Sequence, residues 1–199
     1  MNDTEFLKVV EKYCELDPID YQYFHQLFHN RTILFNQEVE ESIVETVYLP
    51  LLDFEKDNIE KPITLILNSP GGSVSDGFFL AHYLKNYKKK LNIIVTGYAA
   101  SMAAVILIGA GKNENITRLC YPSSYALLHD GFVAIAPSES KTAADIMAFN
   151  ESVDRDIREF ILNNSKITAE QYDAQARHQW FLSAQEMKQY GLIDQIIGM

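Results

Sequence analysis

Gly97-Tyr98-Ala99-Ala100-Ser101-Met102-Ala103-Ala104 lies between two apolar runs, Ile93-Ile94-Val95 and Val105-Ile106-Leu107-Ile108. That order predicts a strand, a tight turn and the first turn of a buried helix. At such a corner, backbone N–H groups point at whatever a serine oxygen attacks. Small neighbours let a substrate backbone approach. The plainer reading of Ser101 is a helix N-cap. The flanking sequence separates the two.

Upstream, the strand-like Ile63-Thr64-Leu65-Ile66-Leu67 runs into Asn68-Ser69-Pro70-Gly71-Gly72-Ser73. Paired glycines after a strand give a sharply turning loop with exposed N–H groups. Gly72 and Gly77 match the glycine spacing of a phosphate loop, but Phe78-Phe79 stand where Lys and then Ser or Thr are needed. G-x-G-x-x-G is also absent. An oxyanion hole, with fixed donors aimed at a tetrahedral intermediate, uses these amides better. Downstream, Tyr125-Ala126-Leu127-Leu128 reads as a buried strand ending in His129-Asp130-Gly131. A histidine there can serve as general base to a serine hydroxyl. The other histidines are less well placed: His25 and His29 in an aromatic N-terminal segment, His82 in a helical pattern, His178 in a polar stretch.

Taken in order and spacing, Asn68 to Gly72, Gly97 to Ala104 and His129 resemble the Clp protease proteolytic subunit family, ClpP. The ending Phe181-Leu182-Ser183-Ala184-Gln185-Glu186 with Tyr190-Gly191-Leu192-Ile193-Asp194 is similar too. The resemblance covers roughly residues 21 to 197. It implies a serine endopeptidase acting on peptides and unfolded proteins through a Ser101 acyl-enzyme. His129 would be the base, and the N–H groups of Gly72 and Met102 the oxyanion hole. The family's third triad member is an aspartate two residues before the Phe-Leu/Met-Ser run. Here that position is Gln179. A glutamine carbonyl can accept the His Nδ1–H bond but brings no charge to stabilise the imidazolium; Asp173, Asp130 or a neighbouring subunit's carboxylate are substitutes. The resemblance also implies a homo-oligomer, two stacked seven-membered rings around a chamber. It further implies an ATP-driven unfoldase docking on aromatic pockets and axial N-terminal loops. Against that partner, Thr64 and Ile66 stand where the family often has tyrosines, and Thr4 to Tyr13 reads as an amphipathic helix.

Composition agrees with a compact cytoplasmic protein. With 199 residues, 47% of them hydrophobic, the chain can bury a full core, and one domain over 1–199 is the default, with an atypical segment at 1–20. A net charge of −10 argues against nucleic acid and anionic membranes. No apolar run reaches the roughly 18 residues of a membrane span. The acidic start Met1-Asn2-Asp3-Thr4-Glu5 is unlike a signal peptide. Cys14 and Cys120 make neither a disulfide scaffold nor a metal site, so no metal and no cofactor are expected.

Strand and helix alternate: a helix over Glu38–Glu55 interrupted at Pro50, strand Ile63–Leu67, a helix near Val74–Tyr87, strand Asn92–Thr96, the helix from Ser101, and strands Ile116–Leu119 and Tyr125–Leu128. Lys88-Lys89-Lys90 reads as a solvated helix end. The pattern predicts an α/β layered fold, ClpP/crotonase-like by resemblance, with a mostly parallel sheet. A long helix from about Thr142 to Asn163 carries Ile146, Phe149, Val153, Ile157, Phe160 and Ile161 on one face, with Asp154, Arg155, Asp156, Arg158 and Glu159 as charged outer positions. By resemblance, about 132–165 is a protruding handle between rings. Thr168-x-x-Gln171 and Ser183-x-x-Glu186 are capping boxes, so Ser183 is a cap and not a nucleophile.

Three other readings share these residues. A catalytically silent or partner-activated ring subunit follows from Gln179. An acyl-CoA hydratase-like enzyme would use the paired amides without Ser101 or His129. An α/β-hydrolase is opposed by chain order, since such enzymes place an acid between the serine and a late histidine.

Overall fold

Alternate residues of Ile63–Ser69 (β2) are buried, as period-two geometry requires of a strand lying on a core. β1 (Thr32–Phe35) and β3 (Leu91–Ala100) run parallel on either side of it. β4 (Ile116–Cys120) and β7 (Gln195–Ile196) extend the sheet in the order β1-β2-β3-β4-β7. Off this path, β5 (Tyr125–Leu128) pairs parallel with the end of β3 and antiparallel with β6 (Trp180–Ser183). The expected α/β fold with a mostly parallel sheet is therefore present. This computed structural model describes residues 26–129, 140–175 and 178–199. The expected helix at Thr4 to Tyr13, Asp130, and part of the 132–165 region lie outside them. No helix among the described residues is long and apolar enough to cross a membrane.

The helices are α1 (Leu49–Lys56), α2 (Val74–Lys85), α3 (Met102–Gly109), α4 (Ser140–Asn164), α5 (Ala169–Gln175) and α6 (Ala184–Gln189). Met-Ala-Ala-Val-Ile-Leu-Ile-Gly is apolar all round, and every residue of α3 is buried, as such a helix must be. α2 and α4 pack against it. The Phe160 ring of α4 closes over Gly109, where a Cβ would come within 2.9 Å of it, and meets Phe78 of α2 edge-on at 5.3 Å. Both capping boxes are made: Ser183 with Glu186 at the start of α6, and Thr168 with Gln171 before α5. Ser183 is thus a cap.

The expected helix over Glu38–Glu55 is broken differently. Val39 forms an isolated parallel bridge to Gly72, and helical structure begins only at Ile43. Val44–Tyr48 is a π-type turn in which Leu49 N–H bonds Val44 C=O, leading into α1. Pro50 cannot donate to a residue four back, so the wider turn and a fresh helix start absorb it. Along α4, Ile157 and Ile161 are buried, whereas Phe149 is 67% exposed, so the apolar face runs past the core it covers. Lys89 is not simply solvated: its ammonium bonds the carbonyl of Asp57 at 2.7 Å.

Arg31 enters β1 with a left-handed φ of 59° and is buried. Its guanidinium bonds the Asp57 carboxylate and the Lys61 carbonyl, and lies over the Phe54 ring at 4.7 Å. Burial alone would raise the Asp57 pKa. The Arg31 hydrogen bond and charge, the Ile59 N–H and Lys89 outweigh it and hold the carboxyl below its ordinary value of 3.8. A depressed folded-state pKa contributes stability above the unfolded value, and that contribution disappears as pH falls through the folded value. Asp57→Asn should destabilise the protein by about 2–3 kcal/mol at pH 7, because it strands a buried guanidinium. Urea denaturation should show this gap shrinking as pH is lowered below 3.8.

Candidate active site

β3 is longer than its apolar run. Leu67 of β2 faces Val95, but Ser69 faces Ala99, so β3 carries a bulge between them. The Asn68 side chain occupies it: Oδ1 accepts the Tyr98 N–H at 3.1 Å, and Nδ2 donates to Asn36 Oδ1 at 2.6 Å. Gly97 is required there, since a Cβ would lie 2.4 Å from Asn68 Oδ1. Before the bulge β3 pairs with β4, from Leu91 to Val95; after it, Tyr98, Ala99 and Ala100 pair with Tyr125, Ala126 and Leu127 of β5. The predicted turn at Gly97–Ala100 is therefore strand.

Ser101 sits where β3 ends and α3 begins, with φ 51° and ψ −124°. A non-glycine residue there is strained by about 1–3 kcal/mol. Its N–H bonds Leu127 C=O at 2.8 Å, and its own C=O accepts from Ala104 and Val105, so the backbone is held from both sides. It occupies the N-cap position, yet its side chain makes no capping bond. The hydroxyl therefore does not cap the helix that it precedes. Glycine also crowds this corner: a Cβ on Gly71 (φ 88°) would lie 2.5 Å from Ala100 O and 2.7 Å from Ser101 Cβ.

The Gly71 carbonyl accepts from Val39 N–H, and Ser73 N–H donates to Val39 C=O. Across a trans peptide the C=O and N–H point opposite ways, so the Gly72 N–H turns away from Val39. The Met102 N–H opens α3 and has no acceptor within the helix. Both residues line a cavity of about 230 Å³ together with Ser101 and His129. Parallel pairing explains the meeting of Ser101 and His129: each follows the last residue of one of two adjacent strands.

Gln179 stands apart from the cavity lining and is exposed. In the β5·β6 register Leu128 faces Trp180, so one further step sets His129 across from Gln179. Asp173 is engaged elsewhere, held by both Nε and Nη2 of Arg158 at 2.7 and 2.8 Å. Among the rejected histidines, His82 stacks on Phe78 in α2 and His178 is exposed. Burial pushes the Cys120 thiol up to about 11, which makes it a poor nucleophile.

Sequence reasoning missed Asn150 and Asp154, which also line the cavity. Asp154 counted as a charged outer position of the long helix. Its spacing of three from Ile157 and four from Asn150 was the available signal, placing it at the border of the apolar stripe.

The chain matches the family model described as Clp protease over residues 17–199. It is 34% identical over 172 residues to the ATP-dependent Clp protease proteolytic subunit of Cyanophora paradoxa, covering 86% of each chain. It is 32% identical over 178 residues to ATP-dependent Clp protease proteolytic subunit 1 of Shouchella clausii (strain KSM-K16), covering 89% of this chain and 90% of that one.

Gly71→Ala should destabilise the protein by about 2–4 kcal/mol in urea denaturation, because positive-φ strain and a backbone clash add at one residue. A loss under about 0.5 kcal/mol, typical of a neutral surface change, would show that the corner can relax.

Proposed function

This chain belongs to the Clp protease family, and on that premise we propose that it is a serine endopeptidase cleaving peptides and unfolded proteins through an acyl-enzyme on Ser101. The observation carrying this reading is the strained Ser101, its hydroxyl unused as a cap, sharing one cavity with His129. Ser101 Oγ attacks the scissile carbonyl as His129 takes its proton. The oxyanion is held by the N–H groups of Gly72 and Met102. His129 then protonates the leaving amine, and water, activated by the same imidazole, releases the acyl group.

Gln179 takes the third position beside His129. Its carbonyl can accept the Nδ1–H and set the tautomer, without a charge to stabilise the imidazolium. In another serine protease, an amide in place of the triad aspartate costs about 10⁴-fold in kcat. The exposure of Gln179 supports the second reading, a silent or partner-activated subunit with a structural or regulatory role. The hydratase-like alternative is set aside by the family match.

We place the protein in seven-membered rings, stacked in pairs, with the sites facing an inner chamber. The exposed Met147 and Phe149 on α4 support burial of this helix against another copy. The names of the two relatives support an ATP-driven unfoldase as partner. Thr64 and Ile66 leave that docking surface without the aromatic groups of the family pattern. The compartment that fits this acidic, cysteine-poor chain is the cytoplasm.

A fluorophosphonate should label the oligomer at Ser101, read by intact mass and peptide mapping, and Ser101→Ala should abolish both labelling and peptide turnover with the oligomer intact. Undiminished turnover in Ser101→Ala would overturn the nucleophile. An unlabelled, well-folded oligomer would favour the silent subunit. Gln179→Asp should raise kcat at least about tenfold by restoring the charge. Unchanged kcat, with His129→Ala inactive, would mean that the amide or another carboxylate already suffices.

A further inference from the structure

The cavity beside Ser101 carries a charge that the bond-breaking step does not use. Its walls are largely aliphatic, from Val105, Leu128, Val153, Ile157 and Ile161. Into the same space come Asn150 and Asp154, one turn apart on α4. Asp154 is half-buried and makes no ion pair or hydrogen bond among the described residues. Its natural helix partner is Arg158, four residues on. That guanidinium is already taken by Asp173 through two bonds. The carboxylate thus borders a largely aliphatic cavity with no cation paired to it among the described residues. A cation entering the cavity would meet this carboxylate partly out of bulk water, where opposite charges attract more strongly.

Building on the serine-peptidase reading, in which the residue donating the scissile carbonyl lays its side chain in this cavity, we propose that Asp154 makes the cavity select a cationic side chain. Its preferred occupant is lysine or arginine. The carbonyl under attack sits at Ser101 and the oxyanion amides, so the adjoining side chain is the group that reaches this space. Lysine and arginine fit both parts of the wall. Their methylene stems lie along the aliphatic residues, and the cationic head reaches Asp154. Asn150 adds an amide oxygen as a second acceptor. Asp154 is a specificity-determining residue here, not a catalytic one.

The test uses the assembled full chain and two peptidyl diphenyl phosphonates that differ only next to phosphorus, where one carries lysine and the other norleucine, the same four-carbon chain without the ammonium. Rates of Ser101 modification are followed by intact mass. The lysine probe should react about tenfold faster, with the ratio falling as salt screens the pair. In Asp154→Asn the ratio should drop to about one. In Asp154→Lys, a probe carrying glutamate should overtake its glutamine counterpart, an inversion that misfolding cannot produce. Equal or faster reaction of the norleucine probe with the unsubstituted protein would overturn the inference. So would a ratio unchanged in Asp154→Asn, or equal slowing of both probes there, which would put the carboxylate in the service of His129. If neither these probes nor a simple fluorophosphonate modifies Ser101, the serine-peptidase reading fails first and this inference falls with it.

Discussion

The Asn68 carboxamide is the contact on which the placement of Ser101 depends. It takes the Tyr98 N–H where β2 and β3 lose register, and it is braced by Asn36 from the other side. Without an acceptor there, a strand N–H would be left unpaired between two strands. The bulge lets β3 leave β4 and continue on β5, which the first half of the strand could not reach. A serine after β3 then lies beside a histidine after β5. Asn-Ser-Pro-Gly-Gly and Gly-Tyr-Ala-Ala-Ser are therefore two halves of one device, joined through a side chain.

Strain at Ser101 persists because its surroundings are over-determined. Its backbone is held by Leu127 on one side and by the first turn of α3 on the other. α3 is wholly buried, so the helix cannot tilt to relieve one residue. Gly71 approaches so closely that no larger residue fits. The result is an N-cap serine whose hydroxyl makes no capping bond to its own helix.

Electrostatics around the cavity follow from competition for one arginine. Arg158 could serve either Asp154 or Asp173, and packing of α5 beside α4 gives it to Asp173. A bidentate guanidinium–carboxylate pair has a geometry that a single helix-face contact lacks. The cavity wall consequently keeps a negative charge. At the opposite extreme, Phe149, Phe181 and Tyr125 leave exposed apolar surface on a strongly acidic chain.

What the sequence determined by itself was set by local patterns. Alternation marked β2, the all-apolar run after Ser101 required a buried helix, and Ser183 with Glu186 announced a cap. The order of motifs around Ser101 and His129 marks the family in the sequence alone. Tertiary structure decided whatever depends on pairing between distant segments. The length of β3 came from Asn68, Val39 was drawn out of its expected helix by the bridge to Gly72, and Lys89 was drawn to Asp57. The strain at Ser101 and its unused hydroxyl appear in no sequence pattern, since an N-cap serine and a nucleophile share the same letter and neighbours. Asp154 was read as a solvent-facing charge because helical periodicity says which residues share a face, and only the packing of α4 over α3 says what that face covers.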